Sequence, residues 1–374
     1  MRLLVCVPWF APARAFGGTV TVAVATVAGA LDAGHEVTVA TTDALDLHSR
    51  VPAGAPSEPP GARVIRFPNA SHRLAATNAP LPRGLRRWLR EYVRDYDAVL
   101  LFDVYSAQSV LAARAAKRAG VPYVLQALGT LPATPERGRV GVKRAFLALW
   151  GQRTVREAAA CLYLSEIERK EYLAQGADPA RLHDLPPPLE LPGDGDGRAA
   201  VPTVLYLGQL HRIKRIDVLI EAFARVHQAL PDARLKVAGP PSSHGEELRR
   251  QADRLGLGDS VEFTGLLTEE EKARELADAH VFALLSASEG LPVTPLEALS
   301  CGTPVVLSPG CGLPQIDGVA GIVCDGTATG AAEAISSLLN DPASARRLGE
   351  AGRGFAGRDA RALGCDRESR RRGH

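Results

Sequence analysis

The sequence predicts an α/β protein with two domains, each built on a parallel sheet with helices on both faces. Short apolar runs of strand length, such as residues 3–7 and 203–207, alternate with segments of helix length. The alternation starts afresh after a Pro/Gly-rich stretch, and 374 residues suffice for two domains. We therefore expect domains at residues 1–186 and 203–356, joined by a linker at residues 187–202.

The composition is that of a soluble globular protein, with 46% hydrophobic and 23% charged residues. The net charge of +2 gives no argument for a nucleic acid partner. The six cysteines show no Cys-x-x-Cys pair and no metal-ligand spacing with histidine, so we expect reduced thiols and no metal site. The apolar run after Met1 is too short for a signal peptide. These observations predict a cytoplasmic protein.

The first domain opens with a strand over residues 3–7, a long loop, and a helix over about residues 19–33. Gly17 and Gly18 end the loop, where glycine lets backbone N–H groups approach an anion at a helix N-terminus. Their spacing is not Gly-x-Gly-x-x-Gly, so an ordinary turn is the alternative interpretation. Further strands are predicted over residues 37–41, 63–67, 99–102, 123–128 and 161–164.

Two basic amphipathic segments lie in this domain, over residues 83–96 and 137–156. In the first segment, apolar side chains repeat at helical spacing on one face and arginines lie opposite. The ordinary interpretation is a core-facing stripe with a solvated basic back. The alternative is a peripheral contact with an anionic membrane, at its inner face if the protein is cytoplasmic.

The second domain is predicted to begin with the strand 203–207, and a basic turn over residues 208–217 follows it. Its other predicted strands cover residues 235–239, 261–267 and 280–285, and two helices are expected within residues 328–353. From Gly357 onward the chain has almost no apolar periodicity. Residues 357–374 are therefore expected to be a disordered tail.

The stretch 286–306 combines a loop, a short helix, a turn and a strand, and it carries two carboxylates. Glu289 follows an apolar run, which predicts that it lies just past a buried strand. Pro295 suits the first helical position, with Thr294 as the N-cap. Ligands of open α/β sheets bind outside the carboxyl ends of strands, so Glu289 and Glu297 can face one polyhydroxyl ligand. Thr294-x-x-Glu297 also fits a capping box, which would give Glu297 a structural role.

Glu289 and Glu297 form a Glu-x7-Glu pattern, followed by Ala-Leu-x-x-Gly-x-Pro-Val-Val. This pattern resembles the signature of the retaining glycosyltransferases of family four, which have two Rossmann-like domains facing a cleft, the GT-B fold. The resemblance extends to about residue 355 and is more specific in the second half. It implies metal-independent transfer of a sugar, with retention, from a nucleoside-diphosphate sugar to a glycan, lipid-linked or small-molecule acceptor.

The resemblance also implies roles for individual residues. Glu297 would accept the ribose hydroxyls, and Glu289 a hydroxyl of the transferred sugar. Lys214, with Arg212, would neutralise charge on the diphosphate, so the candidate catalytic residues are Glu289, Lys214 and Arg212. The candidate donor-binding residues are Glu297, Gln209, Gly17, Gly18, Gly290, Leu291, Val293 and Leu267. No cofactor is implied, and UDP-, GDP- and ADP-sugars all remain possible donors.

The sequence departs from the family pattern at several positions. Gln209 stands where the family has arginine, Arg215 where it has glycine, and Leu128 where it usually has histidine. The alternative hypothesis is therefore a sugar-nucleotide-binding GT-B protein with weak catalysis or none. Asp194-x-Asp196 resembles the metal-binding motif of another glycosyltransferase class, but its Pro/Gly-rich surroundings favour a linker.

Overall fold

The computed structural model describes residues 1–46, 49–52, 54–55, 58–71, 80–131, 140–164, 166–184, 199–289 and 293–362. Two compact units divide the chain, Met1–Pro188 and Leu189–His374. Each unit contains a parallel sheet with helices packed on both faces, as the alternation of apolar runs and helical segments predicts. The predicted linker falls at this division, although residues 185–198 lie outside the described part.

The strands of the first unit are β1 (Arg2–Cys6), β2 (Glu36–Thr42), β3 (Arg63–Phe67), β4 (Ala98–Phe102), β5 (Tyr123–Gln126), β6 (Ala160–Tyr163) and β7 (Leu182–Asp184). Their order in the described sheet is β3-β2-β1-β4-β5-β6-β7, and every pair is parallel. The carboxyl ends therefore meet at one edge, which we call the carboxyl edge. The order reverses between β1 and β4, where open sheets of this kind bind ligands.

The helices of the first unit are α1 (Gly18–Asp32), α2 (Leu85–Tyr92), α3 (Ala107–Ala119), α4 (Val140–Phe146), α5 (Gln152–Arg156) and α6 (Glu166–Ala174). A five-residue π-helical stretch, Leu147–Gly151, joins α4 to α5. Leu85 and Leu89 of α2 are fully buried against the sheet. The apolar face of the predicted helix 83–96 is thus a core-facing stripe.

The strands of the second unit are β8 (Thr203–Leu207), β9 (Arg234–Ala238), β10 (Val261–Gly265), β11 (Val281–Leu284), β12 (Val305–Leu307) and β13 (Gly321–Val323). Their order in the described sheet is β10-β9-β8-β11-β12-β13, again with every pair parallel. The order reverses between β8 and β11, so the loops after these two strands lie side by side at the carboxyl edge.

The helices of the second unit are α7 (Ile216–Ala229), α8 (Ser243–Arg254), α9 (Glu269–Asp278), α10 (Val293–Ser300), α11 (Ala328–Asn340) and α12 (Pro342–Ala362). The core contains fully buried side chains from both layers, among them Phe223 of α7 and Phe282 of β11. No helix in the described part of the chain is long and apolar enough to cross a membrane.

The start of α10 differs from the prediction. The helix begins at Val293, so Thr294 is its second residue rather than its N-cap, and the capping box with Glu297 is wrong. Pro295 is nevertheless compatible with the third helical position. The first four N–H groups of a helix have no intrahelical partner, so proline loses no hydrogen bond there.

Other boundaries also differ from the prediction. The predicted disordered tail began at Gly357, but helix α12 continues to Ala362, because alanine and arginine favour a helix even without an apolar stripe. Residues 363–374 lie outside the described part. Strand β5 ends at Gln126, since Leu128 has a left-handed backbone with φ of 54°. The three-residue strands β7 and β13 were too short for an apolar run to reveal.

Candidate functional site

Lys214 and Glu289 meet at the carboxyl edge of the second sheet. Lys214 closes a 3-10 turn, Arg212–Lys214, in the loop after β8, and Glu289 lies in the loop after β11. The Lys214 ammonium donates to Oε1 and Oε2 of Glu289 at 2.6 and 2.8 Å. Their side chains are 22% and 9% exposed. The reversal of strand order between β8 and β11 therefore brings together two residues that lie 75 positions apart in the sequence.

Backbone contacts fix these two loops against each other. The Ser286 hydroxyl and the Ala287 N–H both donate to the Ile213 carbonyl, at 3.0 and 2.8 Å. The Glu289 N–H donates to the Gly310 carbonyl at 2.8 Å. A Cβ atom at Gly310 would collide with the Ser286 carbonyl oxygen, so only glycine fits there. The Lys214–Glu289 pair thus sits on a framework of hydrogen bonds that leaves little freedom to either loop.

Glu297 lies on α10 and is paired with a lysine that the sequence analysis missed. The residue is 4% exposed, and its Oε1 accepts from Lys272 Nζ of α9 at 3.0 Å. The same ammonium lies 2.6 Å from Oε2 of Glu269. Burial raises the pKa of Glu297, and Lys272 opposes that rise. Burial also acts to lower the pKa of Lys272, but Glu297 and Glu269 outweigh it, so that pKa is raised.

The other residues of the loop after β8 differ in their surroundings. The Gln209 carbonyl accepts from the Tyr206 hydroxyl at 2.8 Å. Arg212 is mostly exposed and pairs with Glu247 of α8 at 2.6 Å. Arg215 stands at the position of the family's glycine and has φ of 50° and ψ of 44°, the left-handed conformation that glycine favours. Arg215 therefore carries backbone strain that a glycine at this position would avoid.

The other predicted donor residues are only partly placed. Val293 is the first residue of α10, and Leu267 is half-buried between β10 and α9. Gly290 and Leu291 lie outside the described residues. In the first unit, Gly17 has φ of 73° and ψ of −146°, and Gly18 begins α1 with open space where a Cβ would stand.

The position of the family's histidine in the first unit has an apolar environment. Leu128 packs against a buried cluster that includes Phe10 and Phe102. The next residue, Gly129, donates its N–H to the buried carboxylate of Glu168 at 2.6 Å, and that carboxylate also accepts from the Leu164 N–H at 2.8 Å. Glu168, another carboxylate that the sequence analysis did not single out, holds the backbone of the loop after β5.

Metal ligands were not expected from the sequence. Among the described residues, no group of three or more His, Cys, Asp or Glu side chains is arranged to hold a metal ion. Asp194 and Asp196 lie outside these residues. The cysteines among the described residues are free and buried: Cys6, Cys161, Cys301, Cys311 and Cys324.

Two units, each with a parallel sheet covered by helices, are the architecture of the GT-B glycosyltransferase class. Solved structures of this class share the fold. The chain is similar to Anabaena Alr3699/HepE in complex with UDP and glucose, with a TM-score of 0.77 and 19% identity, over 97% of each chain. At this identity the similarity shows the fold alone.

Sequence comparisons identify the family. Residues 17–188 match the glycosyl transferase 4-like domain and residues 198–355 match glycosyl transferases group 1. A D-inositol 3-phosphate glycosyltransferase of Mycobacterium sp. (strain KMS) is 35% identical over 220 residues, which are 54% of this chain and 49% of the relative. The chain thus spans about half the length of that relative. With the two models covering most of the sequence, the chain belongs to the glycosyltransferases of family four.

A second relative matches over a longer stretch. It is the GDP-mannose-dependent alpha-(1-6)-phosphatidylinositol monomannoside mannosyltransferase of Mycolicibacterium smegmatis. The two proteins are 29% identical over 319 residues, which are 79% of this chain and 80% of the relative. The similarity therefore runs through both units.

Proposed function

We propose that this chain is a retaining glycosyltransferase that transfers a sugar from a nucleoside-diphosphate sugar to an acceptor hydroxyl without a metal ion. The observation that carries the proposal is the Lys214–Glu289 pair at the carboxyl edge of the second sheet, with Glu297 buried on the following helix. Family membership and the nucleotide-sugar enzymes among the relatives support it.

In this proposal, Lys214 stabilises the leaving diphosphate. When the bond between the anomeric carbon and the phosphate oxygen breaks, its electron pair goes to that oxygen, and a nearby cation stabilises the developing charge. Lys214 then exchanges part of its contact with Glu289 for the phosphate. Arg212 is the second candidate cation, and it reaches the diphosphate by releasing its exposed partner Glu247. Cationic side chains can do this work without a metal.

The two glutamates have separate tasks in this proposal. Glu289 accepts a hydroxyl of the transferred sugar, and Glu297 accepts the ribose hydroxyls of the nucleotide. The acceptor oxygen attacks the anomeric carbon on the face that the diphosphate leaves, and the acceptor proton passes to the leaving phosphate oxygen. No carboxylate nucleophile is needed. The rest of the proposed donor site comprises Gln209, Leu267, Gly290, Leu291 and Val293.

Product analysis tests this function. The protein is incubated with UDP-glucose, GDP-mannose or ADP-glucose, each with D-inositol 3-phosphate or a lipid extract, with and without EDTA. We expect transfer from one donor, an α-linked product from the α-linked donor by NMR, and no effect of EDTA. An inverted linkage would exclude retention, and loss of activity in EDTA would exclude metal independence. Donor binding without turnover would favour the weakly catalytic alternative.

We also propose that the segment from α4 to α5 contacts an anionic membrane surface. Val142, Leu149 and Trp150 are 67%, 64% and 38% exposed, unlike the buried leucines of α2. Basic side chains alternate with these apolar groups, including Lys143 and Arg144. An exposed apolar stripe with cationic neighbours suits the boundary between headgroups and acyl chains.

Vesicle co-sedimentation tests this contact. We expect the protein to pellet with vesicles that contain phosphatidylglycerol and to remain in solution with phosphatidylcholine alone. Replacing Leu149 and Trp150 by serine should abolish the pelleting. Leu266→Ser is the matched control, because Leu266 is 55% exposed but lies in the second unit. Equal loss in that control, or unchanged pelleting of the double variant, would contradict the contact.

A further inference from the structure

The 3-10 turn after β8 carries two cations that pair with different neighbours. Arg212 and Lys214 are the first and last residues of this turn. Lys214 pairs with Glu289 in the loop after β11, and Arg212 pairs with Glu247 on α8, the helix that follows β9. Strand β8 lies between β9 and β11 in the sheet. The two carboxylates therefore come from elements on opposite sides of β8.

The two ion pairs differ in exposure to solvent. The side chains of Lys214 and Glu289 are 22% and 9% exposed, whereas those of Arg212 and Glu247 are 73% and 44% exposed. Water screens an exposed ion pair, so such a pair shifts an equilibrium by up to about fivefold only. A diphosphate carries more negative charge than one carboxylate. The Arg212–Glu247 pair can therefore open when such a ligand binds.

Glu247 is held in position beside the turn. Its Oε2 accepts from Arg212 at 2.6 Å and lies 3.0 Å from Nδ1 of His244. The hydrogen bond with His244 and the charge of Arg212 lower the pKa of Glu247, so Glu247 is an anion at neutral pH. The hydroxyl of Ser242, the N-cap of α8, donates to the Leu210 carbonyl at 3.0 Å. The start of α8 is thus fixed to the loop that carries Arg212.

We propose that Glu247 is a positioning residue, which stores Arg212 on α8 in the free protein and releases it when the donor's diphosphate binds. This storage rests on the proposed function, because that function gives Arg212 a contact with the diphosphate. It adds a control of donor affinity. Each binding event must first break the Arg212–Glu247 pair, so the pair makes donor binding weaker than the same site would show without Glu247.

A double-mutant cycle tests this storage. UDP, GDP and ADP are titrated by calorimetry into the parent chain at low salt, and the nucleotide that binds most tightly is then used with each variant. Glu247→Gln should tighten binding about two- to fivefold, because Arg212 no longer has to leave an anionic partner. Arg212→Ala should weaken binding. In the Arg212→Ala background, Glu247→Gln should have no effect.

Glu246→Gln is the matched control, because it removes the same charge from the preceding, exposed residue of α8. Its affinity should change less than that of Glu247→Gln. Thermal melts establish that each variant folds, and Glu247→Ala serves if Glu247→Gln does not. In the transfer assay, Glu247→Gln should lower the KM for the donor and leave kcat unchanged, since an ion pair of the free protein does not act on the transition state.

Three outcomes would overturn the proposal. One is a folded Glu247 variant that binds the nucleotide like the parent or more weakly. Another is an equal gain from Glu246→Gln, or from Glu247→Gln in the Arg212→Ala background, which would be a general effect of charge. The third is an Arg212→Ala variant that binds like the parent, which would remove Arg212 from the donor site.

The proposed transferase function has a separate test, which is sugar transfer by the parent chain. None of the three outcomes affects it. Conversely, a coupling between Arg212 and Glu247 in nucleotide binding, without sugar transfer, would leave the storage of Arg212 standing and refute the function.

Discussion

Two glutamate–lysine pairs of the second unit, Glu289–Lys214 and Glu297–Lys272, have similar chemistry and different surroundings. Glu289 and Lys214 come from two loops, and the lysine contacts both carboxylate oxygens. Glu297 and Lys272 come from the facing helices α10 and α9, and this lysine is shared with Glu269. A loop pair at the end of a sheet can exchange partners during a reaction. A helix pair holds a buried carboxylate in place for a fixed hydrogen bond. We expect the first pair to act in turnover and the second in binding.

Replacing Lys214 should have the largest effect. Lys214→Ala removes the cation proposed to stabilise the leaving diphosphate, and such losses lower kcat by about 100-fold to 1000-fold. Steady-state kinetics with the donor that the product analysis identifies measures the change. Lys236→Ala is the matched control, because Lys236 also pairs with a glutamate, Glu275, at 2.7 Å in the same unit. If both variants lose activity equally, the effect of Lys214 is structural.

The glutamates should differ in which ligand they bind. Glu297→Ala should weaken binding of the bare nucleoside diphosphate about tenfold or more, because its proposed partner is the ribose. Glu289→Ala should weaken only the complete nucleotide sugar. Calorimetry with UDP and UDP-glucose, or the corresponding pair for another donor, measures both affinities. The assigned division of tasks is refuted if both variants bind the bare diphosphate like the parent.

The helix pair predicts a pH dependence of nucleotide binding. Burial raises the pKa of Glu297, and Lys272 is the main group that opposes this rise. Lys272→Met removes the opposition, so the carboxyl group becomes protonated at a higher pH and can no longer accept two ribose hydroxyls. As pH is lowered, affinity should therefore begin to fall at a higher pH in the variant than in the parent. If the variant and the parent show the same dependence of nucleotide affinity on pH, the proposed role of Lys272 is wrong.

The pairs also show what a sequence can predict. Buried parallel strands are continuous apolar runs, so most of both sheets, and the positions of Lys214 and Glu289 just after strands, could be predicted. The contact of Lys272 with Glu297 could not, since it depends on how α9 packs against α10. Glu269, Glu270 and Glu271 at the start of α9 make Lys272 resemble an ordinary surface residue. The strained backbone of Arg215 was not predicted either, although the family's glycine at this position indicates a left-handed backbone.

The smallest expected effect concerns Gln209, which stands beside the loop pair where the family has arginine. Gln209→Arg adds a permanent cation with several donors near Lys214, and arginine pairs with phosphate through two parallel hydrogen bonds. The nucleoside diphosphate should bind a few-fold more tightly at low salt, and the gain should shrink as salt screens the added charge. Calorimetry at two salt concentrations measures this, with Gln251→Arg on α8 as the control for added charge. Unchanged affinity would indicate that Arg212 already occupies the phosphate position. In that case the double variant Gln209→Arg, Arg212→Ala should recover the affinity that Arg212→Ala alone loses.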